Sequence, residues 1–134
     1  MAVVLVVDDD PSARKPLARL LEQEGYDVDC AADALVALSR VMHRAPDLIL
    51  LDIMIPRMDG LTLLWRIRET SAGREIPVII ITGHDGEDNV RRAQELGVKD
   101  YLIKSRYTVR ELLELVRRYA GSKGETAEGL VSES

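Results

Sequence analysis

The sequence contains one cysteine, Cys30, among its 134 residues. A single cysteine cannot pair within the chain, which excludes a disulfide framework, and it cannot supply the several thiolates of a structural zinc site. A chain of this length buries enough apolar surface to fold without such cross-links. The sequence therefore predicts one domain stabilised by its own core, in a reducing compartment.

Basic residues are also fewer than acidic ones, since the sequence has 18 Lys and Arg and 23 Asp and Glu, which gives a formal net charge of −5. Surfaces that bind nucleic acid need a clustered excess of Lys and Arg, so the composition argues against direct contact with nucleic acid. No apolar run approaches the roughly 20 residues of a membrane span, and no basic segment precedes the first apolar run. We expect a soluble cytoplasmic protein with no membrane partner.

The chain does contain uninterrupted apolar runs, which are typical of strands buried on both faces of a parallel sheet. They cover residues 3–7, 48–51 and 78–82, and shorter strand patterns cover 26–31 and 100–103. Amphipathic stretches of helical period follow each strand. Five strands that alternate with five helices predict an α/β fold, a doubly wound five-stranded parallel sheet with helices on both faces.

Local signals refine this outline. Asp10 or Ser12 can cap the first helix, and the sequence leaves that choice open. Thr108 to Glu111 has the capping-box pattern and is expected to start the last helix. Glycines are expected to end three of the helices, at Gly25, Gly97 and Gly121.

In the second helix we expect four apolar side chains to face the core, namely Leu35, Leu38, Val41 and Met42. Residues 122–134 are rich in Gly, Ser and Glu and have few large apolar side chains. This segment is predicted to be a disordered tail or linker after a domain spanning residues 1–121.

Polar residues occur at the end of four predicted strands, namely Asp8, Asp9, Asp52, Thr82 and Lys104. Because parallel strands end at the same edge of a sheet, we expect these side chains to converge. Clustered carboxylates repel one another unless a cation lies among them, and oxygen ligands suit Mg²⁺. With a hydroxyl and an ammonium added, the site fits a phosphoryl group. Asp52 is then the natural nucleophile, since no Ser-His-Asp arrangement is present.

Four segments resemble the signature segments of response-regulator receiver domains, over about residues 3–120. They are VDDD at 7–10, LDIMIPRMDG at 51–60, ITG at 81–83 and YLIK at 101–104. The resemblance implies the flavodoxin-like strand order 2-1-3-4-5. It implies that Asp52 accepts a phosphoryl group from the phospho-histidine of a sensor kinase or phosphotransfer protein. Asp8, Asp9, Asp52 and the backbone carbonyl of Met54 would hold Mg²⁺, and Lys104 would pair with the phosphoryl oxygens.

The same resemblance implies a conformational switch in which Thr82 moves toward the phosphoryl group while Tyr101 turns inward. The surface of the fourth helix, fifth strand and fifth helix would contact a downstream effector. It could also form a homodimer, with Tyr107, Leu112 and Arg118 as candidate surface residues. Such a protein is not an enzyme with a separate substrate, because it promotes only its own phosphorylation and dephosphorylation.

Ser105 departs from the family pattern, in which the residue after the Lys is usually a cis proline. A cis bond before a non-proline residue costs about 2.5–4 kcal/mol, so we expect a different loop geometry after Lys104 and an altered output face. Lys104 is still expected to reach the phosphoryl site.

Three alternatives bear on the interpretation. A receiver-like module that binds a partner without phosphorylation fits Ser105 but not the full set of site residues. A flavin-binding protein of similar fold would need a phosphate-binding loop where the acidic residues stand. A phosphatase with an aspartyl nucleophile would need a second carboxylate at the position of Met54.

Overall fold

The computed structural model describes residues 1–84 and 86–121. Five strands alternate with five helices, as the sequence predicted. The strands are β1 (Val3–Val7), β2 (Asp27–Ala31), β3 (Leu48–Leu51), β4 (Val78–Thr82) and β5 (Asp100–Ile103). The helices are α1 (Pro11–Gln23), α2 (Ala34–His43), α3 (Gly60–Glu69), α4 (Glu87–Glu95) and α5 (Val109–Ala120).

The five strands form one parallel sheet in the order β2-β1-β3-β4-β5, which confirms the predicted fold class. Strands β1, β3 and β4 lie inside the sheet and are buried along their whole length. Strands β2 and β5 lie at its edges and are mostly half-buried. The apolar runs thus became the inner strands because only side chains without polar groups can be covered on both faces.

The sheet separates two apolar cores, because successive side chains of a strand point to opposite faces. Leu5, Ile49 and Ile80 pack in a core on one face, together with residues of α2, α3 and α4. Val6 and Leu50 pack in the core on the other face, together with residues of α1 and α5. The inner strands therefore pack between two layers of helices, which hold the carboxyl ends of the strands in fixed positions.

Side-chain caps fix where the helices begin. Asp10 caps α1 by accepting a hydrogen bond of 2.9 Å from the backbone N–H of Ser12, which settles the choice that the sequence left open. Pro16 therefore lies inside α1. Thr108 begins α5 with the predicted capping box, in which Thr108 and Glu111 each accept the other's backbone N–H.

The predicted orientation of α2 is wrong for two residues. Leu35 and Met42 are 52% and 57% exposed, whereas Ala34, Ala37 and Val41 are buried. Both sets of residues have helical spacing, so periodicity alone does not separate them. The alanines allow α2 to lie close to the sheet, and the larger side chains are turned outward.

Leu112 is another correction, since it is only 2% exposed and packs in the core beneath α5. It cannot contribute to a dimer surface, because it supports the helix from inside. The tail predicted at 122–134 lies outside the described residues. Within residues 1–84 and 86–121, no helix is long and apolar enough to cross a membrane.

Candidate functional site

Three charged side chains meet at the carboxyl edge of the sheet. Asp8 and Asp52 follow β1 and β3 directly, and each is only 6% exposed. The ammonium of Lys104, which follows β5, donates to Asp8 Oδ2 and to Asp52 Oδ2, both at 2.8 Å. The structure thus brings together an acid pair and a lysine that come from three different strands.

The second oxygen of each buried carboxylate is also bound. Asp8 Oδ1 accepts the backbone N–H of Asp10 at 3.0 Å, and Asp52 Oδ1 accepts that of Met54 at 2.9 Å. The guanidinium of Arg14 donates to the backbone carbonyl of Asp8 at 2.7 Å. Charge-assisted bonds of this kind fix the carboxylates in orientation as well as in place. Arg14 was not among the predicted site residues, although it lies only six positions after Asp8.

Gly60 allows the tight return of the chain after Asp52. A Cβ atom at this position would lie 2.4 Å from the Cα of Ile53, and the N–H of Gly60 donates to the Ile53 carbonyl at 2.8 Å. Asp59 caps α3 through the N–H groups of Leu61 and Thr62. The Asp-Gly pair therefore begins α3 directly against the backbone of Asp52 and Ile53.

Lys104 is a fixed positive charge. Burial alone would lower its pKa, but the hydrogen bonds to Asp52 and Asp8 outweigh that effect and raise the pKa well above its usual value. The ammonium remains protonated at neutral pH and cannot act as a general base. Its chemistry is electrostatic, since it offsets negative charge at the Asp52 carboxylate.

Thr82 is the last residue of β4 and is fully buried. Its Oγ1 has no hydrogen-bond partner among the described residues. A buried hydroxyl without a partner costs about 1–3 kcal/mol, so native proteins retain few of them. The unpaired hydroxyl lies on the strand beside β3, and Asp52 directly follows β3.

Asp9 and Tyr101 are placed differently from the central group. Asp9 is exposed, and no group of three acidic, His or Cys side chains in the described part of the chain is arranged to hold a metal ion. Tyr101 is half-buried, and its hydroxyl donates to the backbone carbonyl of His84 at 2.6 Å. Tyr101 thereby links β5 to the loop that follows β4.

The loop after Lys104 has a tight turn at Ser105. Within the described residues every peptide bond is trans, and Ser105 adopts a φ of 75°, in the left-handed region. The Lys104 N–H donates to the Thr82 carbonyl at 2.8 Å, which keeps the end of β5 against β4. Lys104 thus reaches Asp52 although no proline follows it.

The sequence model of the response regulator receiver domain matches residues 4–117. The chain belongs to the response regulator receiver domain family. Receiver domains are signalling modules that interact with histidine kinases and downstream effectors. This assignment confirms the resemblance seen in the sequence.

Relatives of this receiver domain include both longer proteins and isolated domains. The response regulator MprA of Mycobacterium sp. (strain KMS) is 35% identical over 131 residues, which cover 95% of this chain and 56% of MprA. The chain therefore spans little more than half the length of that relative. A 14.6 kDa protein of Leptolyngbya boryana is 40% identical over 116 residues, which cover 87% of this chain and 88% of that protein.

Among solved structures, the receiver domain of the sensor histidine kinase PA1611 from Pseudomonas aeruginosa has a TM-score of 0.80 and 29% identity. The match covers 90% of this chain and 98% of that domain, which holds a magnesium ion in its active site cleft. The BeF3-activated receiver domain of Klebsiella pneumoniae RstA has a TM-score of 0.80 and 30% identity, over 88% of this chain and 97% of that one.

Proposed function

We propose that Asp52 is the phospho-acceptor of this receiver domain and that Lys104 and Thr82 assist the transfer. The observation that supports this most directly is the Lys104 ammonium, which lies 2.8 Å from both Asp8 and Asp52. A half-buried lysine that bridges two buried carboxylates places one fixed cation beside the proposed nucleophile. Such a group stabilises charge that develops on a transferring phosphoryl group.

In the proposed step, one oxygen of the Asp52 carboxylate attacks phosphorus and forms a new P–O bond. The bond from phosphorus to the donor breaks, and its electron pair leaves with the donor. This bond is P–N for a phospho-histidine and P–O for a small acyl phosphate. The product is an aspartyl phosphate, and water later hydrolyses it to restore the carboxylate. The domain therefore acts on itself and has no separate substrate.

Two of the predicted donors suit a magnesium ion, although no three metal-ligating side chains of the described residues are gathered around one point. Asp8 and Asp52 offer hard carboxylate oxygens that one cation can reach together, since a single ammonium already bonds to both. We assign the metal site to Asp8, Asp9 and Asp52 with the backbone carbonyl of Met54. When bound, Mg²⁺ would offset the charge of the phosphoryl oxygens. Its presence in the related PA1611 receiver domain supports the assignment.

Thr82 and Tyr101 are the proposed switch. The unpaired Thr82 hydroxyl can donate to a phosphoryl oxygen, which would remove the cost of its burial. The hydrogen bond of Tyr101 to His84 would be exchanged for an inward position as the loop after β4 moves. The partners proposed for this receiver domain are a sensor histidine kinase or phosphotransfer protein in the cytoplasm and a downstream effector. The surface formed by α4, β5 and α5 is proposed to contact that effector, or a second copy of the chain.

Intact mass spectrometry with Mg²⁺ and acetyl phosphate tests the acceptor assignment. The chain is expected to gain one acid-labile phosphate, and Asp52→Asn is expected to gain none. Asp10→Asn is the matched control, because it removes a neighbouring carboxylate while Asn still caps α1. This control is expected to retain the phosphate.

Two results would contradict the proposal. One is a phosphate that persists in Asp52→Asn, which would place the nucleophile elsewhere. The other is a native chain that takes no phosphate from acetyl phosphate or from a phospho-histidine protein. That second result would favour the module that binds its partner without phosphorylation.

A further inference from the structure

A cavity of about 150 Å³ lies beside Lys104 on the α1 and α5 side of the sheet. Its walls are mainly apolar, with Leu17 from α1 and Leu50 from β3 among them. Asp8, Asp52 and Lys104 line it as well, so the cavity is continuous with the proposed phosphoryl site.

Tyr107 is the aromatic residue that lines this cavity. Its ring is half-buried and packs against the core beneath α5. Burial raises the pKa of the Tyr107 hydroxyl, and the charges of Lys104 and Asp8 act on it in opposite directions. Tyr107 is therefore close to the charged group but forms no hydrogen bond with it among the described residues.

The loop geometry explains how Tyr107 comes to lie there. The left-handed turn at Ser105 reverses the chain directly after Lys104, and the N–H of Arg106 donates back to the Ile103 carbonyl at 2.9 Å. Thr108 then begins α5 with its capping box. Tyr107 is thus held between a tight turn and a fixed helix start, and its ring is directed to the wall of the cavity.

We propose that Tyr107 is a positioning residue for Lys104, an inference that rests on the proposed phospho-acceptor function. The ring lies on the α5 side of the site, and it lines the same cavity as Lys104. It restricts the lysine stem to the orientation in which the ammonium meets Asp8 and Asp52.

The test compares initial rates of phosphorylation by acetyl phosphate with Mg²⁺, followed by intact mass. Tyr107→Ala is expected to slow the reaction about tenfold, since small misplacements of a catalytic group cost between ten- and a hundredfold. Tyr107→Phe keeps the ring and is expected to remain within about twofold of the native rate. Tyr107→Leu, which fills more of the space than Ala, is expected to lie between them and covers the case in which Tyr107→Ala does not fold.

A double-mutant cycle distinguishes positioning from general structure. In a Lys104→Ala background, Tyr107→Ala is expected to change the rate by less than about twofold, because the group through which it acts is gone. A second readout does not depend on the reaction, namely the ¹H–¹⁵N signal of the Lys104 ammonium, assigned by its loss in Lys104→Ala. We expect this signal in the native chain and in Tyr107→Phe, and its broadening in Tyr107→Ala and Tyr107→Leu.

Native rates and an unchanged ammonium signal in a folded Tyr107→Ala or Tyr107→Leu would overturn the proposal. An equal slowing with and without Lys104 would also overturn it and show that Tyr107 acts only through the fold. If the acceptor function itself is wrong, the result differs. The native chain then takes no phosphate, while the ammonium signal still changes when Tyr107 is substituted.

Discussion

The two edges of the sheet differ in which residues adopt a left-handed backbone. At the amino edge, the positive φ angles belong to glycines, namely Gly25, Gly97 and Gly121. At the carboxyl edge they belong to Arg57 and Ser105, which have side chains. A left-handed backbone is nearly free of cost for glycine and costs about 1 kcal/mol or more for other residues. The strained turns are therefore confined to the edge where the proposed chemistry takes place.

The two edges also differ in how completely their polar groups are hydrogen-bonded. At the amino edge, Arg68 donates to the backbone carbonyls of Leu96, Gly73 and Ile76 at 2.9, 2.9 and 2.6 Å. This one guanidinium joins the end of α3 to the start of β4 and the end of α4. At the carboxyl edge, the Thr82 hydroxyl has no partner among the described residues, and acidic residues are concentrated.

The comparison separates an edge whose backbone is relaxed and hydrogen-bonded from the edge of the proposed reaction, where the described residues include strained and unpaired groups. Unpaired and strained groups persist only where the surrounding structure holds them, and they are typical of functional sites. The two cores between the edges provide that support. Substitutions at the amino edge should accordingly change stability without changing the phosphorylation rate.

The largest effect is expected for Arg68→Met, which keeps an unbranched apolar stem but removes the hydrogen-bond donors. Three carbonyls would lose a partly buried partner, so the free energy of unfolding should fall by about 2–4 kcal/mol. Urea denaturation would measure this loss. Arg66→Met, an exposed residue of the same helix, is the control and should change stability by less than about 0.5 kcal/mol. A phosphorylation rate that falls in the folded Arg68→Met protein would break the division between the edges.

A smaller loss is expected for Gly97→Ala. The position has a φ of 78°, and no atom outside the neighbouring residues lies within 4 Å of the added Cβ. The cost is therefore a backbone cost alone, about 1 kcal/mol. Gly83→Ala is the control and should not lose stability, because its φ lies outside the left-handed region and its added Cβ also meets open space. Equal losses in the two variants would show that the left-handed backbone is not the cause.

The opposite substitution at the carboxyl edge should raise stability. Ser105→Gly relieves a left-handed φ of 75° but makes the unfolded chain more flexible, so the net gain is about 0.5 kcal/mol. Thermal unfolding would detect it as a rise in Tm of a few degrees. Ser105→Ala removes the hydroxyl and keeps the strain, and it should show no gain. A gain in both variants would assign the effect to the hydroxyl.

The smallest effect is a dependence of stability on pH at the cap of α3. Burial acts to raise the pKa of Asp59, but hydrogen bonds from Thr62 and Leu61 outweigh it and lower the pKa. A lowered carboxyl pKa contributes stability above the unfolded value, near pH 4, and that stability is lost as pH falls through the folded pKa. Asp59→Asn should therefore lose less stability than the native chain between pH 4 and pH 2 in urea denaturation. Parallel curves for the two proteins would contradict this.

The sequence predicted the elements well because their signals are local. The inner strands, the glycine ends of helices and the capping box at Thr108 each depend on a few neighbouring residues. The residues that gather at the carboxyl edge followed from the topology, since parallel strands end together. Asp8, Asp52 and Lys104 were found in contact for that reason.

Features set by contacts between distant segments were not predicted. The inward side of α2 depends on how closely the helix approaches the sheet, which made Ala34 and Ala37 core residues in place of Leu35 and Met42. The carbonyls that Arg68 binds come from separate loops, and no local sequence pattern predicts such an arrangement. Ser105 signalled a departure from the family, but its backbone conformation depends on the whole loop.

The bridge between Asp8 and Lys104 joins residues 96 positions apart in the chain. A link of this span forms only after β1 and β5 have both joined the sheet, and such non-local contacts are made late in folding. A chain that has been synthesised as far as β4 already contains Asp52 but lacks the lysine beside it. If the proposed chemistry is correct, the ability to take up phosphate is also a marker of completed folding, and an unfinished chain does not signal.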